Sequence, residues 1–144
     1  MAKIRHIAIA SKDADKTKKF YTEIFGMEVV QKLDSPKYYG YLLTDGYINM
    51  AILDFKDASA AGSEWGVDFS GLHHMGFQID ESEGIPEKLE AAGYEPRVDI
   101  NQALGIKQDV ASSRRHEFKY SAPVGVVIDL SSTGWAATSP SKAD

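Results

Sequence analysis

Hydrophobic and polar residues alternate with two different periods at the start of the chain. Residues Ile4 to Ala10 show the alternation that is typical of a β-strand. Apolar residues then recur at helical spacing, at Phe20, Tyr21, Ile24 and Phe25. Ser11 and Asp13 are candidate caps for this helix, and Gly26 is a natural stop. The pattern predicts a strand followed by a helix.

Three further β-like runs complete the first half of the chain, separated by Ser-Pro and Asp-Gly turn signals. The runs are Glu28 to Leu33, Tyr38 to Leu43 and Tyr47 to Leu53. Residues 56–71 are rich in Ala, Ser, Gly and Asp and have no clean period, which indicates a linker. Trp65 and Phe69 are candidate anchors within it.

The same order recurs in the second half of the chain. A strand is predicted at Leu72 to Ile79 and a helix at Ile85 to Ala92, which Gly93 would stop. The later β-like runs are Tyr94 to Val98, His116 to Tyr120 and Val126 to Leu130. This recurrence predicts two βαβββ modules that arose by duplication. We expect an α+β fold.

The predicted boundaries follow from this repeat and from composition. One domain is expected over 1–135, with module one at 3–55 and module two at 72–135. The small, polar segment 136–144 has little to bury and is predicted to be a disordered tail.

Composition narrows the class of protein. The 144 residues are 43% hydrophobic, which suffices for one core. A net charge of −5 with mixed signs argues against nucleic acid or an anionic membrane as partner. No segment approaches the roughly 20 apolar residues of a spanning helix, so a cytoplasmic protein is expected. Since the chain has no Cys, a metal would be held by His, carboxylate or amide groups.

The alternation of side chains along the predicted strands identifies three polar residues as candidates for one site. Alternate side chains of a strand point to opposite faces, so the apolar set of each strand identifies its core side. His6, His74 and Asp129 each lie opposite the apolar set of their strand. His73 has the core parity, which makes its neighbour the better ligand candidate. Glu117 is predicted to face the same side as the three and is a candidate acid or base.

Two imidazoles and one carboxylate from three strands form the minimum of a facial triad. This set suits Fe(II) and can also hold Mn, Co, Ni or Zn. Simpler roles stay open at this point. Each histidine could be a hydrogen-bonded structural group, Asp129 could be a solvated acid or pair with Arg115, and Glu117 could be a charge at the rim of the site.

Five segments in order resemble the vicinal oxygen chelate superfamily of glyoxalases, bleomycin-resistance proteins and extradiol dioxygenases. They read HIAIAS, FYTEIFGM, GLHHMGFQID, EKLEAAGYE and VVIDLSSTGW, and the resemblance covers roughly Lys3 to Trp135. It implies a cup-shaped mixed β-sheet built from the two modules, with helices on the outside. It also implies a small-molecule substrate and a homodimer.

The resemblance assigns roles to residues of this chain. In the superfamily, the positions of His6, His74 and Asp129 bind a divalent metal. Glyoxalase I and methylmalonyl-CoA epimerase add a Glu or Gln from the fourth strand, where this chain offers only Asn49 or Ala51. Extradiol dioxygenases use the triad alone, but their usual Tyr is replaced here by a lysine.

The leading hypothesis is a metal-dependent, glyoxalase-like lyase or isomerase. It would chelate a small oxygenated substrate and stabilise an enolate, with Glu117 as the proton carrier. One alternative is an Fe(II) extradiol-type dioxygenase on the same triad. The other is a metal-free binding or resistance protein, which the missing fourth ligand favours.

Overall fold

The computed structural model describes residues 1–106 and 117–138. Its strands are β1 (Lys3–Ala10), β2 (Glu28–Asp34), β3 (Tyr38–Thr44), β4 (Asn49–Phe55), β5 (Gly71–Gln78), β6 (Phe118–Ser121) and β7 (Val127–Ser131). Its α-helices are α1 (Ala14–Phe25), α2 (Ala58–Ala61), α3 (Ile85–Ala91) and α4 (Val98–Ala103). No helix in this described part is long and apolar enough to cross a membrane.

The seven strands form one mixed sheet in the order β2-β3-β4-β1-β5-β7-β6. The first strand of each half pairs in parallel with the last strand of that half, β1 with β4 and β5 with β7. The two halves join through the antiparallel pair β1 and β5. The predicted α+β sheet of two similar halves is confirmed.

Helix α1 begins and ends where its sequence signals lie. The Asp13 side chain accepts a hydrogen bond from the backbone N–H of Lys16 at 2.9 Å. Gly26 ends the helix in the left-handed conformation, at φ 70°. The helix packs on one face of the sheet against Leu43 and Ile52. Helix α3 packs near the other end of the sheet through a cluster that includes Leu130.

The opposite face of the sheet is covered by the segment that the sequence analysis assigned to a linker. Helix α2 lies within it, and Ala60 and Ala61 are fully buried against Ala8 and Leu53. Leu104, which follows α4, packs on the same cluster. The polar candidates His6, His74 and Asp129 are buried, whereas the apolar residues Ile7 and Ile9 of β1 are only half-buried.

The predicted strand at Tyr94 to Val98 is wrong. Pro96 forms an isolated bridge with Tyr120, and Val98 already begins α4. A proline has no N–H to donate, so it interrupts a strand ladder. The predicted strand at 116–120 is described only from residue 117 onward. Arg115, the proposed partner of Asp129, also lies outside the described residues.

Candidate metal centre

Three neighbouring strands bring His6, His74 and Asp129 together. In the sheet register, Gly76 of β5 lies between His6 of β1 and Asp129 of β7, and His74 lies two residues earlier on β5. His74 Nε2 is 3.2 Å from His6 Nε2 and 3.2 Å from Asp129 Oδ2. Potential ligand atoms of the three residues all lie within 4.8 Å of one another. All three side chains are buried.

A hydrogen-bond network assigns the tautomer of His6. The Nδ2 of Asn49 donates to the carbonyl oxygen of Ala136 at 3.0 Å, which leaves Asn49 Oδ1 as an acceptor. His6 Nδ1 lies 2.9 Å from Oδ1 and therefore carries the proton. His6 Nε2 consequently presents a lone pair toward His74.

A second network assigns the tautomer of His74. His73 Nε2 lies 2.6 Å from the carbonyl oxygen of Ala61 and must donate to it. In neutral His73 the other nitrogen, Nδ1, is then an acceptor, and it lies 2.8 Å from His74 Nδ1. His74 Nδ1 therefore carries the proton, and its Nε2 also presents a lone pair.

The predicted core orientation of His73 is wrong. Between the pairs Ala8–His74 and Ile9–Leu72, β1 advances one residue and β5 advances two. This β-bulge adds one residue to β5 and breaks the alternation of its side chains. His73 is therefore buried on the same side as His74, where it also contacts the Trp65 ring, 4.7 Å between centroids.

Burial keeps the two imidazoles neutral. It lowers the pKa of both His6 and His74 to about 4, and the attraction of nearby Asp129 opposes this only in part. Burial also lowers the pKa of His73. Three electron-pair donors, two nitrogens and a carboxylate oxygen, thus face one another without a proton between the nitrogens. A cation among these donors would offset the repulsion between their electron pairs.

Lys119 supplies one cation in this structure. Its Nζ donates to Asp129 Oδ2 at 3.2 Å and lies 3.0 Å from Oδ1, although Oδ1 is outside hydrogen-bonding geometry. Burial alone would raise the pKa of Asp129, but the positive charge that His74 acquires on protonation and the charge of Lys119 hold it well below its ordinary value. The carboxylate is therefore ionised. Lys119 is only 2% exposed.

The cluster lies at one end of a cavity of about 220 Å³. Glu117, which is half-buried, and Lys119 line the same cavity, on the side that strand parity predicts. The rest of the wall is largely apolar and includes Leu33, Tyr38, Leu42, Leu53, Phe55 and Leu104. A ligand in this cavity would meet a charged end and an apolar end.

Neither fourth-strand candidate offers a fourth anionic ligand. Asn49 lies opposite His6 in the β1–β4 register, and its amide is used to orient that imidazole. Ala51 lines the cavity but has no donor atom. Within the described residues, β4 therefore contributes a positioning group and an apolar wall to the site.

Trp135 contacts His6, and no sequence pattern predicted this contact. Its ring stacks on His6 with centroids 5.1 Å apart and an interplanar angle of 4°. The carbonyl of Ala136 follows directly and holds Asn49. The start of the predicted tail thus supports the site, whereas residues 139–144 lie outside the described residues.

Gly76→Ala is expected to displace Trp135 from His6. An added Cβ would lie 2.6 Å from Trp135 Cζ2 and 2.7 Å from His6 Cβ. Overpacking of this kind costs about 1–3 kcal/mol of stability. Urea unfolding followed by circular dichroism measures the loss, and a change below about 0.5 kcal/mol would contradict the packing described.

The metal-free protein is expected to lose stability as the pH falls from about 6.5 to 4. In that window His6 and His74 become protonated in the unfolded chain, at their ordinary pKa. In the folded chain both imidazoles stay unprotonated down to about pH 4. The free energy of unfolding should fall by up to about 1.4 kcal/mol per pH unit for each imidazole. Urea titrations at several pH values test this, and His74→Gln should reduce the slope. A flat profile in the parent protein would contradict it.

Comparison with known proteins places this chain in a family. The chain matches the model of the Glyoxalase/Bleomycin resistance protein/Dioxygenase superfamily over residues 3–105. No curated protein sequence matches it.

Solved structures share its fold over nearly its whole length. A hypothetical protein from Bacillus halodurans C-125 is 13% identical with a TM-score of 0.62, covering 99% of this chain and 98% of its own. A methylmalonyl-CoA epimerase in complex with methylmalonyl-CoA and NH4+ is 19% identical with a TM-score of 0.63, covering 97% and 99%. Methylmalonyl-CoA epimerase from Mycobacterium tuberculosis is 17% identical with a TM-score of 0.61, covering 89% and 85%.

At these identities the structural neighbours show a shared fold and no more. The family model, however, spans well over half of the chain and includes β1 to β5. The chain therefore belongs to the glyoxalase/bleomycin resistance protein/dioxygenase superfamily, also called the vicinal oxygen chelate superfamily.

Proposed function

We propose that His6, His74 and Asp129 bind a divalent metal ion and that the protein is a metal-dependent lyase or isomerase. The observation that carries the proposal is the convergence of two imidazole lone pairs and an ionised carboxylate in a buried cluster. Ligands that bind one ion at about 2.0–2.2 Å lie roughly 3 Å apart. The two separations of 3.2 Å at His74 Nε2 fit that spacing.

The donor set restricts the metal and its chemistry. Two neutral imidazoles and one carboxylate suit Fe(II), Mn, Co, Ni or Zn. When bound, the ion would supply Lewis-acid stabilisation of negative charge that develops on a substrate oxygen. Asn49 and His73 direct the imidazole Nε2 atoms into the cluster, and the largely apolar wall of the cavity would pack against the rest of the substrate.

Glu117 is the proposed proton carrier. Glu117 lines the cavity near Lys119, and its negative charge acts on His6. A carboxylate in this position would remove a proton from a carbon next to a bound carbonyl and return it to the enolate. General acid–base catalysis of this kind contributes about 10²–10⁴-fold to a rate.

The epimerase neighbours support a small-molecule substrate. One of them is bound to methylmalonyl-CoA. The cavity of about 220 Å³ is smaller than the roughly 300–1,000 Å³ of pockets for drug-sized ligands. It would therefore enclose a small substrate, or only the acyl end of a larger one.

A metal-free binding protein is the second candidate function. The contact between Lys119 and Asp129 favours it, because the chain itself supplies a cation to the carboxylate. Ala51 adds no ligand. In that case the cavity would hold its ligand without reaction.

Exchange of carbon-bound protons with D₂O separates the two candidates. The probe is 4-methyl-2-oxopentanoate, whose C3 protons exchange through an enolate and are followed by NMR. Protein loaded with Fe(II), Mn, Co, Ni or Zn is expected to accelerate exchange with at least one ion. Glu117→Gln should lower that rate by about 10²-fold or more, and the exposed Glu95→Gln should not.

Two results would contradict the proposed metal-dependent activity. Tight probe binding without accelerated exchange with any ion would favour the binding protein. Exchange that is equally fast without metal would remove the metal from the proposal.

A further inference from the structure

Lys119 is fixed in the cavity wall by its backbone. Its N–H donates to Asn101 Oδ1 at 3.0 Å, and its carbonyl accepts hydrogen bonds from Asn101 Nδ2 at 3.0 Å and from the Arg97 N–H at 2.8 Å. Asn101 is itself only 3% exposed. These bonds fix the backbone of Lys119 beside Asp129, its register partner on β7.

The ammonium group has donor capacity beyond its protein contacts. It has three N–H groups. Among the described residues, its acceptors are the Asp129 carboxylate and the Glu117 carbonyl, 3.3 Å away. The side chain lines the cavity, so the remaining N–H is available to a ligand there.

Charge at this end of the cavity also favours an anion. The described charged residues that line it are Lys119, with one positive charge, and Asp129 and Glu117, with one negative charge each. The histidines are neutral by their hydrogen-bond assignments. A divalent ion would leave one net positive charge in a buried space, which is costly without a counter-ion.

We propose that Lys119 binds the acid group of the ligand, and that the ligand is a small organic acid with an apolar tail. The acid group would accept a hydrogen bond from the Lys119 ammonium beside the triad, and the tail would lie against the apolar wall that includes Leu42 and Phe55. This inference rests on the proposed function because it takes the triad to hold a divalent ion.

Calorimetric titration of two matched probes tests the role of the lysine. The acid is 4-methyl-2-oxopentanoate, and its neutral counterpart is 5-methylhexane-2,3-dione, with the same tail and the same two adjacent oxygens. Each is titrated into Co(II)-loaded protein, in which visible absorption reports metal occupancy. The variants are Lys119→Met and Lys119→Gln, which remove the charge, and Lys119→Arg, which keeps it.

The parent protein is expected to bind the acid at least tenfold more tightly than the dione. Folded Lys119→Met or Lys119→Gln should reduce this ratio at least fivefold, and Lys119→Arg should retain most of it. A metal-loaded parent that binds both probes equally, or a ratio unchanged in the uncharged variants, would overturn the inference and leave the metal site intact.

The titrations also distinguish failure of the proposed metal site from failure of the inference about Lys119. If no cobalt binds, the same titrations are made on metal-free protein. Binding of the acid that depends on the charge of Lys119 would still support an acid ligand. Its absence would overturn the inference together with the proposed function.

Discussion

Asp129→Ala is expected to lower the free energy of unfolding of the metal-free protein by about 3–5 kcal/mol. The substitution leaves the Lys119 ammonium, which is 2% exposed, without its carboxylate partner. Removal of one member of a buried ion pair is far more costly than removal of both, because a lone charge stays out of water. Chemical denaturation of the two proteins measures the difference.

Lys119→Met in the Asp129→Ala background should therefore recover at least half of the loss. Asp68→Ala is the matched control, because Asp68 is exposed, and it should change stability by less than about 0.5 kcal/mol. Equal losses in the single and double variants would show that the ion pair is not the cause.

Loss of His74 should lower metal affinity more than loss of His73, which only orients it. Removal of a group that only orients a metal-binding imidazole costs about 10–100-fold in affinity. His74→Ala removes a proposed ligand itself and should cost more than about 100-fold. His73→Phe keeps the ring volume but removes the hydrogen bond to His74 Nδ1, so it should fall within the smaller range.

Competition with a chromophoric chelator measures these affinities for Co(II) and Zn(II). Asp68→Ala again serves as the control and should bind as the parent does. The predicted order of affinity is parent, then His73→Phe, then His74→Ala. An unchanged affinity in His74→Ala would place the metal elsewhere.

Strand parity predicted the orientation of most candidate residues. Residues of β4 and β7 alternate regularly, so Ala51 and Asp129 face the cavity as expected. The order of elements also followed from local signals, such as the Asp13 cap and the Gly26 stop of α1. The metal-binding roles of His6, His74 and Asp129 stay predictions.

The features that parity missed depend on contacts between distant segments. The bulge at His73 arises from pairing with β1 and has no local signal beyond two adjacent histidines. Trp135 reaches His6 only because Gly76 leaves room for its ring. The contact between Lys119 and Asp129 depends on the register of β6 with β7. The alternation of apolar and polar residues within one strand does not predict contacts between strands.

Anomalous diffraction from crystals of the zinc-loaded protein tests the central claim most directly. The predicted result is one zinc peak at about 2.0–2.2 Å from His6 Nε2, His74 Nε2 and an Asp129 carboxylate oxygen. The contradicting result is a cluster with no zinc peak, in which Lys119 alone neutralises Asp129.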